Sequence, residues 1–310
     1  MNALLLLSLC GLVVGAWAQC QCSYMKWAKC DETPCQCTLA VGEAVNQPIN
    51  CSALVPKCYL MKAEMYRAKK GLSTRSGGKP TEHAFVDNDG IYDPECDNNG
   101  NFKAKQCNNT NECWCVNSAG VRRTDKGAKE DINCNELVDT YWVRLELKHN
   151  VTSTPLDTAQ LKTAIGQAIQ SRYGLSASFI NNTQYDPDAR LIMVDVVKPI
   201  GNKNVDLSRV AYYMEKDVKV LPLFTDGKKF QPTVSGQPLN FENIVVYYVD
   251  EKPPTFSMKR LTGGIIAVIV VVVVAIAAGL LVLFFAKRKQ RAQYEKTQHR
   301  EMDEMQQSLS

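Results

Sequence analysis

The hydrophobic pattern is dominated by one unbroken apolar stretch, residues 263–286, which reads GGIIAVIVVVVVAIAAGLLVLFFA and contains no charge and no proline. As a helix it is roughly 36 Å long at about 1.5 Å per residue, more than the ~30 Å core of a bilayer. A buried helix of a soluble protein rarely extends this far without one polar position. A basic cluster follows at once, and the positive-inside rule assigns it to the cytosol: Lys287, Arg288, Lys289 and Arg291. The pattern predicts a transmembrane helix at residues 263–286, a cytoplasmic tail at residues 287–310 and an extracellular remainder.

The N-terminal pattern agrees with that orientation. Residues 4–9 and 12–14 form a short apolar core, and Ala16-Trp17-Ala18 supplies the small-x-small pattern of a signal-peptidase site. This apolar core is too short for a leading transmembrane helix. We predict a signal peptide at residues 1–18 and a mature chain that starts at Gln19.

Between these ends, residues 135–250 contain no cysteine and show the patterns of an ordinary globular domain. Thr140–His149 alternates polar and apolar side chains, as a half-buried strand does. Asp157 and Gln160 form a capping box for a helix that ends near Gly174. A second helix is predicted at residues 206–218, and further strands at residues 179–185, 191–197, 230–234 and 244–249, with a turn at residues 235–238. Two helices against an antiparallel sheet indicate an α+β domain. A short stalk, residues 251–262, then leads to the membrane.

Cysteine usage predicts two further modules. Of the 13 cysteines, Cys10 lies in the predicted signal peptide, and the others all lie between Cys20 and Cys134. An even number of cysteines in an exported chain indicates a disulfide framework. Zinc binding is disfavoured, because close pairs such as Cys20 and Cys22 have one intervening residue, whereas zinc sites use two to four. We predict disulfide-rich modules at residues 19–54 and 55–134, whose pairing the spacing alone does not choose.

Charge and motif content exclude several classes of function. The 36 basic and 32 acidic side chains nearly balance, which argues against a surface for nucleic acid or heparin. The chain has no Gly-x-Ser-x-Gly elbow, no His-Glu-x-x-His motif and no glycine-rich phosphate loop. We expect no enzymatic activity, no cofactor and no metal site.

The second disulfide-rich module carries a specific motif. Its positions are Tyr92, Cys96, Gly100, Phe102, Gln106 and Cys107, then Cys113-Trp114-Cys115-Val116 and Gly120. Glycines permit turns, aromatic side chains supply a small core, and adjacent cysteines pin short loops. The motif resembles the thyroglobulin type-1 repeat. This resemblance implies the bonds Cys58 to Cys96, Cys107 to Cys113 and Cys115 to Cys134.

From signal peptide to tail, the chain resembles the epithelial cell adhesion molecule family. Matching stretches lie at residues 87–96, 113–126 and 211–218, and from residue 247 to the membrane. The trophoblast cell-surface antigen is a paralogue with the same extracellular motifs, but Tyr294-Glu295-Lys296 and residues 301–305 resemble the adhesion-molecule branch more closely. For the first module the resemblance implies the bonds Cys20 to Cys35, Cys22 to Cys51 and Cys30 to Cys37.

The resemblance also implies a function. It points to an epithelial type I surface glycoprotein at lateral cell contacts, which forms cis dimers and mediates calcium-independent, homophilic adhesion. It further implies ectodomain shedding, intramembrane release of the tail and a claudin as a further partner. In the cis dimer, we expect the thyroglobulin-type loop of one subunit to pack on the α+β domain of the other. The alternative is a cell-surface protease inhibitor, whose loop at residues 69–79 and segment at residues 114–123 would enter a protease cleft.

Three usable N-glycosylation sequons begin at Asn108, Asn150 and Asn181. A fourth begins at Asn50, but a disulfide-bonded Cys51 at its middle position disfavours occupancy.

The apolar stretch itself contains two small-x3-small spacings, Gly263 with Ala267 and Ala275 with Gly279. Small residues at this spacing let two membrane helices approach closely. We expect this seam to support the cis dimer.

Overall fold

The computed structural model describes residues 20–72, 92–107, 111–152, 156–219, 221–256 and 263–308. The chain divides into two compact units, residues 1–256 and 257–310, which are described separately. The predicted signal peptide, the sequon at Asn108 and most of the loop at residues 69–79 lie outside the described residues.

The N-terminal module is a small antiparallel sheet of three strands, β1 (Lys29–Glu32), β2 (Cys35–Gly42) and β3 (Val45–Ile49). The buried residues Leu39 and Val41 of β2 and Met25 before the sheet form its apolar centre. So few apolar side chains make a small core, and three disulfide bonds supplement it by restricting the unfolded chain.

The second module combines one helix, α1 (Lys57–Lys69), with a sheet of three short strands, β4 (Lys105–Cys107), β5 (Glu112–Cys115) and β6 (Gly127–Ala128). Pro56 precedes the helix, and its missing N–H costs nothing there because the first N–H groups of a helix have no intrahelical partner. The helix therefore begins directly after Pro56 and extends to Lys69.

The cysteine-free region contains a four-stranded sheet with two helices. Its elements in chain order are β7 (Thr140–His149), α2 (Thr158–Tyr173), a 3-10 turn (Ala177–Phe179), β8 (Ile180–Asp186), β9 (Leu191–Val197), α3 (Leu207–Lys219), β10 (Thr233–Val234), β11 (Gln237–Pro238) and β12 (Phe241–Asp250). The sheet order is β12-β7-β9-β8, and all neighbours are antiparallel. The predicted α+β class is thus confirmed.

Both helices pack on the same face of this sheet. The Asp157 carboxylate accepts the N–H of Ala159 at 3.0 Å to cap α2, and Gly174 ends that helix in a left-handed conformation. Side chains of alternate sheet residues, including Val143, Leu145 and Val196, meet α2 and α3 around one small internal cavity. The opposite face of the sheet carries the less buried residues that alternate with these, such as Arg144 and Glu146 of β7.

One sequence-based prediction is wrong. Residues 230–234 do not form a strand of the main sheet. Of this segment only β10 is a strand, and it pairs with β11 in a separate two-stranded hairpin. The turn consists of Ser235 and Gly236, both with positive φ, so residues 237 and 238 belong to a strand. Phe230 is 2% exposed and stacks on Phe241. An apolar side chain is needed at this position for that packing, although the residue is not part of a strand.

The second unit contains the helix α4 (Gly263–Ser308), 46 residues long. Residues Ala267–Lys289 are long and apolar enough to cross a membrane, and none of that segment is buried. The helix does not stop at residue 286, where the sequence pattern places the end of the transmembrane segment, but continues through the predicted tail. Polar residues with high helix propensity allow that extension.

Candidate functional site

The N-terminal module is held against the α+β domain by backbone and tyrosine hydrogen bonds. The N–H of Lys26 donates to the carbonyl of Leu223 at 2.8 Å, and the N–H of Thr225 donates to the carbonyl of Ser23 at 3.1 Å. Tyr213 of α3 is fully buried, and its hydroxyl donates to the carbonyl of Tyr24 at 2.9 Å. These bonds fix the module's position relative to α3.

Helix α1 of the second module packs beside α3 through buried charges. Glu64 accepts a hydrogen bond from Lys216 Nζ at 2.6 Å and another from the Tyr212 hydroxyl at 3.0 Å. Lys57 Nζ lies 4.3 Å from the centre of the Tyr248 ring and 5.3 Å from that of Tyr212. Burial lowers the pKa of Lys57 from 10.5 to about 8. This joint therefore contains a lysine that is costly to charge, beside two aromatic rings that attract the charged form.

The far end of the second module is fastened to the end of β12. The Asp250 carboxylate accepts hydrogen bonds from Arg123 Nε at 2.8 Å, Asn117 Nδ2 at 2.7 Å and Thr140 Oγ1 at 3.2 Å. Burial raises the pKa of Asp250, while the hydrogen bonds from Asn117 and Arg123 act in the opposite direction. The three modules consequently meet at several buried polar contacts rather than through flexible linkers.

The same arginine also holds the start of the predicted stalk. Arg123 Nη2 donates to the carbonyls of Lys252 at 2.7 Å and Pro253 at 2.9 Å, and its own carbonyl accepts the N–H of Thr255 at 2.9 Å. Residues 251–256 of the stalk predicted at 251–262 therefore lie against the second module.

The residues of the thyroglobulin-type motif form the core of their module. Tyr92 and Trp114 make an edge-to-face contact with ring centres 5.5 Å apart, and the Tyr92 hydroxyl donates to the carbonyl of Gly120 at 3.1 Å. A Cβ atom at Gly120 would lie 2.6 Å from the Phe102 ring, so only glycine fits there. Val116 is 1% exposed.

Gln106 and Gly100 connect that core to its surroundings. The Gln106 side chain is 1% exposed, accepts the N–H of Glu95 and donates to the carbonyls of Glu95 and Lys103. Gly100 has positive φ, and a Cβ atom there would lie 2.6 Å from Pro56. These motif residues are structural and present no reactive group to solvent.

Six disulfide bonds stabilise the two N-terminal modules, three within each module. They join Cys20 to Cys35, Cys22 to Cys51, Cys30 to Cys37, Cys58 to Cys96, Cys107 to Cys113 and Cys115 to Cys134. These are the pairs that the two resemblances imply. In the described part of the chain, two groups of sulfur atoms lie close enough to share a metal ion, Cys20, Cys35 and Cys37, and Cys22, Cys37 and Cys51. All of these sulfurs are in disulfides, so they are not thiolate ligands.

The segment proposed for protease inhibition, residues 114–123, is largely occupied inside the chain. Trp114 and Ala119 are buried, and Asn117 and Arg123 bind Asp250. A protease cleft would have to displace these contacts. The geometry of the described residues therefore does not favour the inhibitor alternative.

The outer face of the four-stranded sheet is a surface that the sequence analysis did not single out. At its centre Asp195 accepts two hydrogen bonds from Arg144, at 2.8 and 3.0 Å, and one from Trp142 Nε1 at 3.1 Å. Beside them on β12, Val245 and Tyr247 are 36% and 49% exposed. Both helices lie on the other side, so apolar and paired polar groups together face solvent. The sequence of β7 indicates this surface, because its alternation places the apolar Trp142 on the same face as the polar residues Arg144 and Glu146.

The asparagines of the described sequons, Asn50, Asn150 and Asn181, are all exposed. Asn50 follows β3 and accepts the N–H of Ser52 at 2.8 Å, Asn150 follows β7, and Asn181 lies in β8. In α4, a Cβ atom at Gly279 would meet nothing within 4 Å, and Ala267 and Ala275 are exposed. Gly263 is the first residue of that helix.

Comparison with known proteins assigns the chain to a family. The family described as EPCAM/Trop-2, C-terminal, matches residues 140–250, and the thyroglobulin type-1 repeat matches residues 63–134. The chain is 45% identical to the epithelial cell adhesion molecule of Homo sapiens, over 99% of this chain and 96% of the relative. It is 47% identical to the same protein of Bos taurus, over 89% and 85% of the two chains. It is 43% identical to the tumor-associated calcium signal transducer 2 of Mus musculus, over 84% and 82%. With its repeat, its α+β domain and its apolar helix in the same order, the chain belongs to the family of the epithelial cell adhesion molecule and the tumor-associated calcium signal transducer 2.

Proposed function

We propose that this chain is a cell-surface adhesion protein whose ectodomain recognises a second copy of itself without calcium. The observation that supports it most is the open outer face of the sheet, on an extracellular unit whose modules are otherwise fastened to one another. A face with exposed Val245 and Tyr247 around the Arg144 and Asp195 pair combines apolar contact area with fixed polar groups, as protein interfaces do.

The joints between the modules give this recognition a mechanical role. Because Tyr213, Glu64 and Asp250 bind groups of neighbouring modules, force on one module is carried to the others. In the cis dimer, the thyroglobulin-repeat loop of one subunit would pack on the α+β domain of its partner. Small-residue contacts at Gly263, Ala267, Ala275 and Gly279 would bring the two membrane helices together.

The finer features of the proposal follow the family. The chain would be a type I protein of lateral epithelial contacts, with its N-terminus outside, glycans on Asn108, Asn150 and Asn181, and a claudin as a second membrane partner. A sheddase would cut the ectodomain, and an intramembrane protease would then release the tail. The domain bounds proposed above, residues 19–54, 55–134 and 135–250, are part of this proposal, and no enzymatic activity is expected.

A mixed aggregation assay tests the proposed function. Non-adherent cells that express the full chain, labelled in one colour, are shaken with unlabelled parental cells, with and without a calcium chelator. Clusters that contain only expressing cells and survive chelation are the expected result. Recruitment of parental cells would show a different ligand, and absence of clusters would contradict adhesion.

A pair of matched variants connects the assay to the sheet. Met193 lies half-buried on the outer face of β9, opposite Glu146, whereas Gln167 is exposed on α2. Met193→Glu adds a charge next to Glu146 on the proposed contact surface and should reduce clustering, while Gln167→Glu should not. Equal clustering of both variants would remove the open face from the proposal.

A further inference from the structure

The free edge of β12 is the second feature of this sheet that no contact among the described residues explains. We propose that β12 pairs antiparallel with β12 of a second copy, so that two four-stranded sheets join edge to edge. This inference rests on the proposed self-recognition and specifies the strand that performs it.

The register shows which backbone groups are free. The N–H of Lys198 donates to the carbonyl of Tyr141. The backbone N–H and C=O groups of odd-numbered residues of β7 are therefore directed towards β9, and those of even-numbered residues towards β12. Because Arg144 pairs with Tyr247 and Glu146 with Val245, odd-numbered residues of β12 use their N–H and C=O groups inside the sheet. The groups of Ile244, Val246 and Tyr248 therefore point away from it.

Only one of these outward groups is occupied among the described residues. The N–H of Ile244 donates to the Asn243 side chain at 2.9 Å, and no backbone bond reaches Val246 or Tyr248 from another described segment. A row of unpaired backbone groups on an edge strand is a template for a further strand.

The two edges of the sheet differ in composition. The opposite edge, β8, reads INNTQYD, contains a register shift between Ile180 and Asn182, and carries the sequon at Asn181. Polar residues, bulges and bulky modifications are the usual protections of an edge strand. In β12 the run IVVYYV from residue 244 to 249 has no charge, proline or glycine, and its register shifts lie only at its two ends.

The run is also complementary to itself. In an antiparallel pair centred on Val246, Val245 of one copy lies opposite Tyr247 of the other, and the same contact repeats on the other side of the two-fold axis. A β-branched residue opposite an aromatic one is a favourable cross-strand pair. Both residues lie on the outer face, where they are exposed. A second copy is therefore the occupant that satisfies the backbone groups and covers these side chains together.

Disulfide trapping in the full-length protein tests this register. Val245→Cys and Tyr247→Cys are placed on separately tagged copies and expressed together. In the proposed register, Val245 and Tyr247 of the two copies form a non-hydrogen-bonded pair, whose Cα atoms lie roughly 4.5 Å apart. This distance is within the range of about 4.4–6.8 Å that a disulfide allows. We expect at least about tenfold more disulfide-linked dimer carrying both tags than either variant yields alone.

The matched control uses the other edge. Asn182→Cys and Gln184→Cys have the same spacing and face the same side of the sheet, and they should give no linked dimer. Surface delivery of all four variants serves as the check on folding. If wild-type copies with the two tags co-precipitate but the residue 245 and 247 pair does not cross-link, strand pairing is wrong and self-recognition stands. If the wild-type copies do not co-precipitate, self-recognition fails together with the strand pairing.

Discussion

Arg123 and Asp250, which are 127 residues apart in sequence, form a salt bridge with Nε and Oδ2 2.8 Å apart and side chains that are 12% and 9% exposed. The pair joins the thyroglobulin-type repeat to the last strand of the α+β domain. It also places residues 251–256 against the repeat, because Arg123 binds two carbonyls of that segment. One side chain thus controls both a joint and the segment that leads towards the membrane.

Replacement of this arginine should weaken both. Arg123→Ala leaves Asp250 buried without its cationic partner, and we expect a loss of about 3 kcal/mol in the free energy of unfolding. Limited proteolysis of the full chain should cut residues 251–256 faster. Lys103→Ala, which removes an exposed ion pair with Glu95, should cost less than about 1 kcal/mol and leave the cleavage rate unchanged. Equal behaviour of the two variants would contradict the role of Arg123.

Lys57 should make stability depend on pH in the alkaline range. Its pKa in the folded protein, about 8, lies below the ordinary value of 10.5. Between these values the unfolded chain holds a proton that the folded chain has released, so stability rises with pH through this window and the penalty for charging is fully present below it. Relative to Lys57→Met, the free energy of unfolding of the wild type should increase by about 2 kcal/mol from about pH 7.5 to about pH 10.

The comparison between wild type and variant cancels other groups that titrate in this range. Tyr212 and Tyr248 remain neutral, because burial raises the pKa of each well above its ordinary value. Lys103→Met serves as the control and should reproduce the wild-type pH dependence. If the difference in free energy of unfolding between the wild type and Lys57→Met does not change with pH, the lysine is not desolvated.

Gly120 should not tolerate a side chain. Gly120→Ala combines positive φ with a Cβ atom 2.6 Å from the Phe102 ring, so the ring must move out of its packed position. We expect a loss of at least about 3 kcal/mol, from backbone strain and overpacking together. Gly201→Ala has a similar φ but nothing within 4 Å, and should cost about 1 to 2 kcal/mol. Chemical denaturation with the disulfides intact measures both, and equal losses would refute the steric explanation.

The membrane helix offers a test of the proposed cis dimer. Ala275→Leu with Gly279→Leu should reduce cross-linking of the full-length protein in membranes, because the larger side chains keep two helices apart. Ala277→Leu lies on another face of α4 and is the control for size alone. Dimerisation that is unchanged by the double variant would exclude this seam.

Several elements were predictable because their signals are local. The helix cap at Asp157, the left-handed end at Gly174 and the alternation of β7 depend on residues within a few positions of one another. The strand predicted at residues 230–234 is present only at Thr233–Val234, because an apolar side chain such as Phe230 looks the same in sequence whether it lies in a sheet or fills a gap beside one. Phe230 fills such a gap against Phe241.

The sequence by itself determined the membrane-spanning stretch, the disulfide-rich and cysteine-free regions, the α+β class and the motif of the thyroglobulin-type repeat. Composition, period and spacing express these properties within short stretches of chain. Only the tertiary structure decided that Tyr213, Glu64 and Arg123 fasten the modules together, and that β8 and β12 are the edges of the sheet. Those relationships join residues more than 100 positions apart or depend on strand order, and no local pattern encodes the partner of a buried charge or the neighbour that a strand lacks.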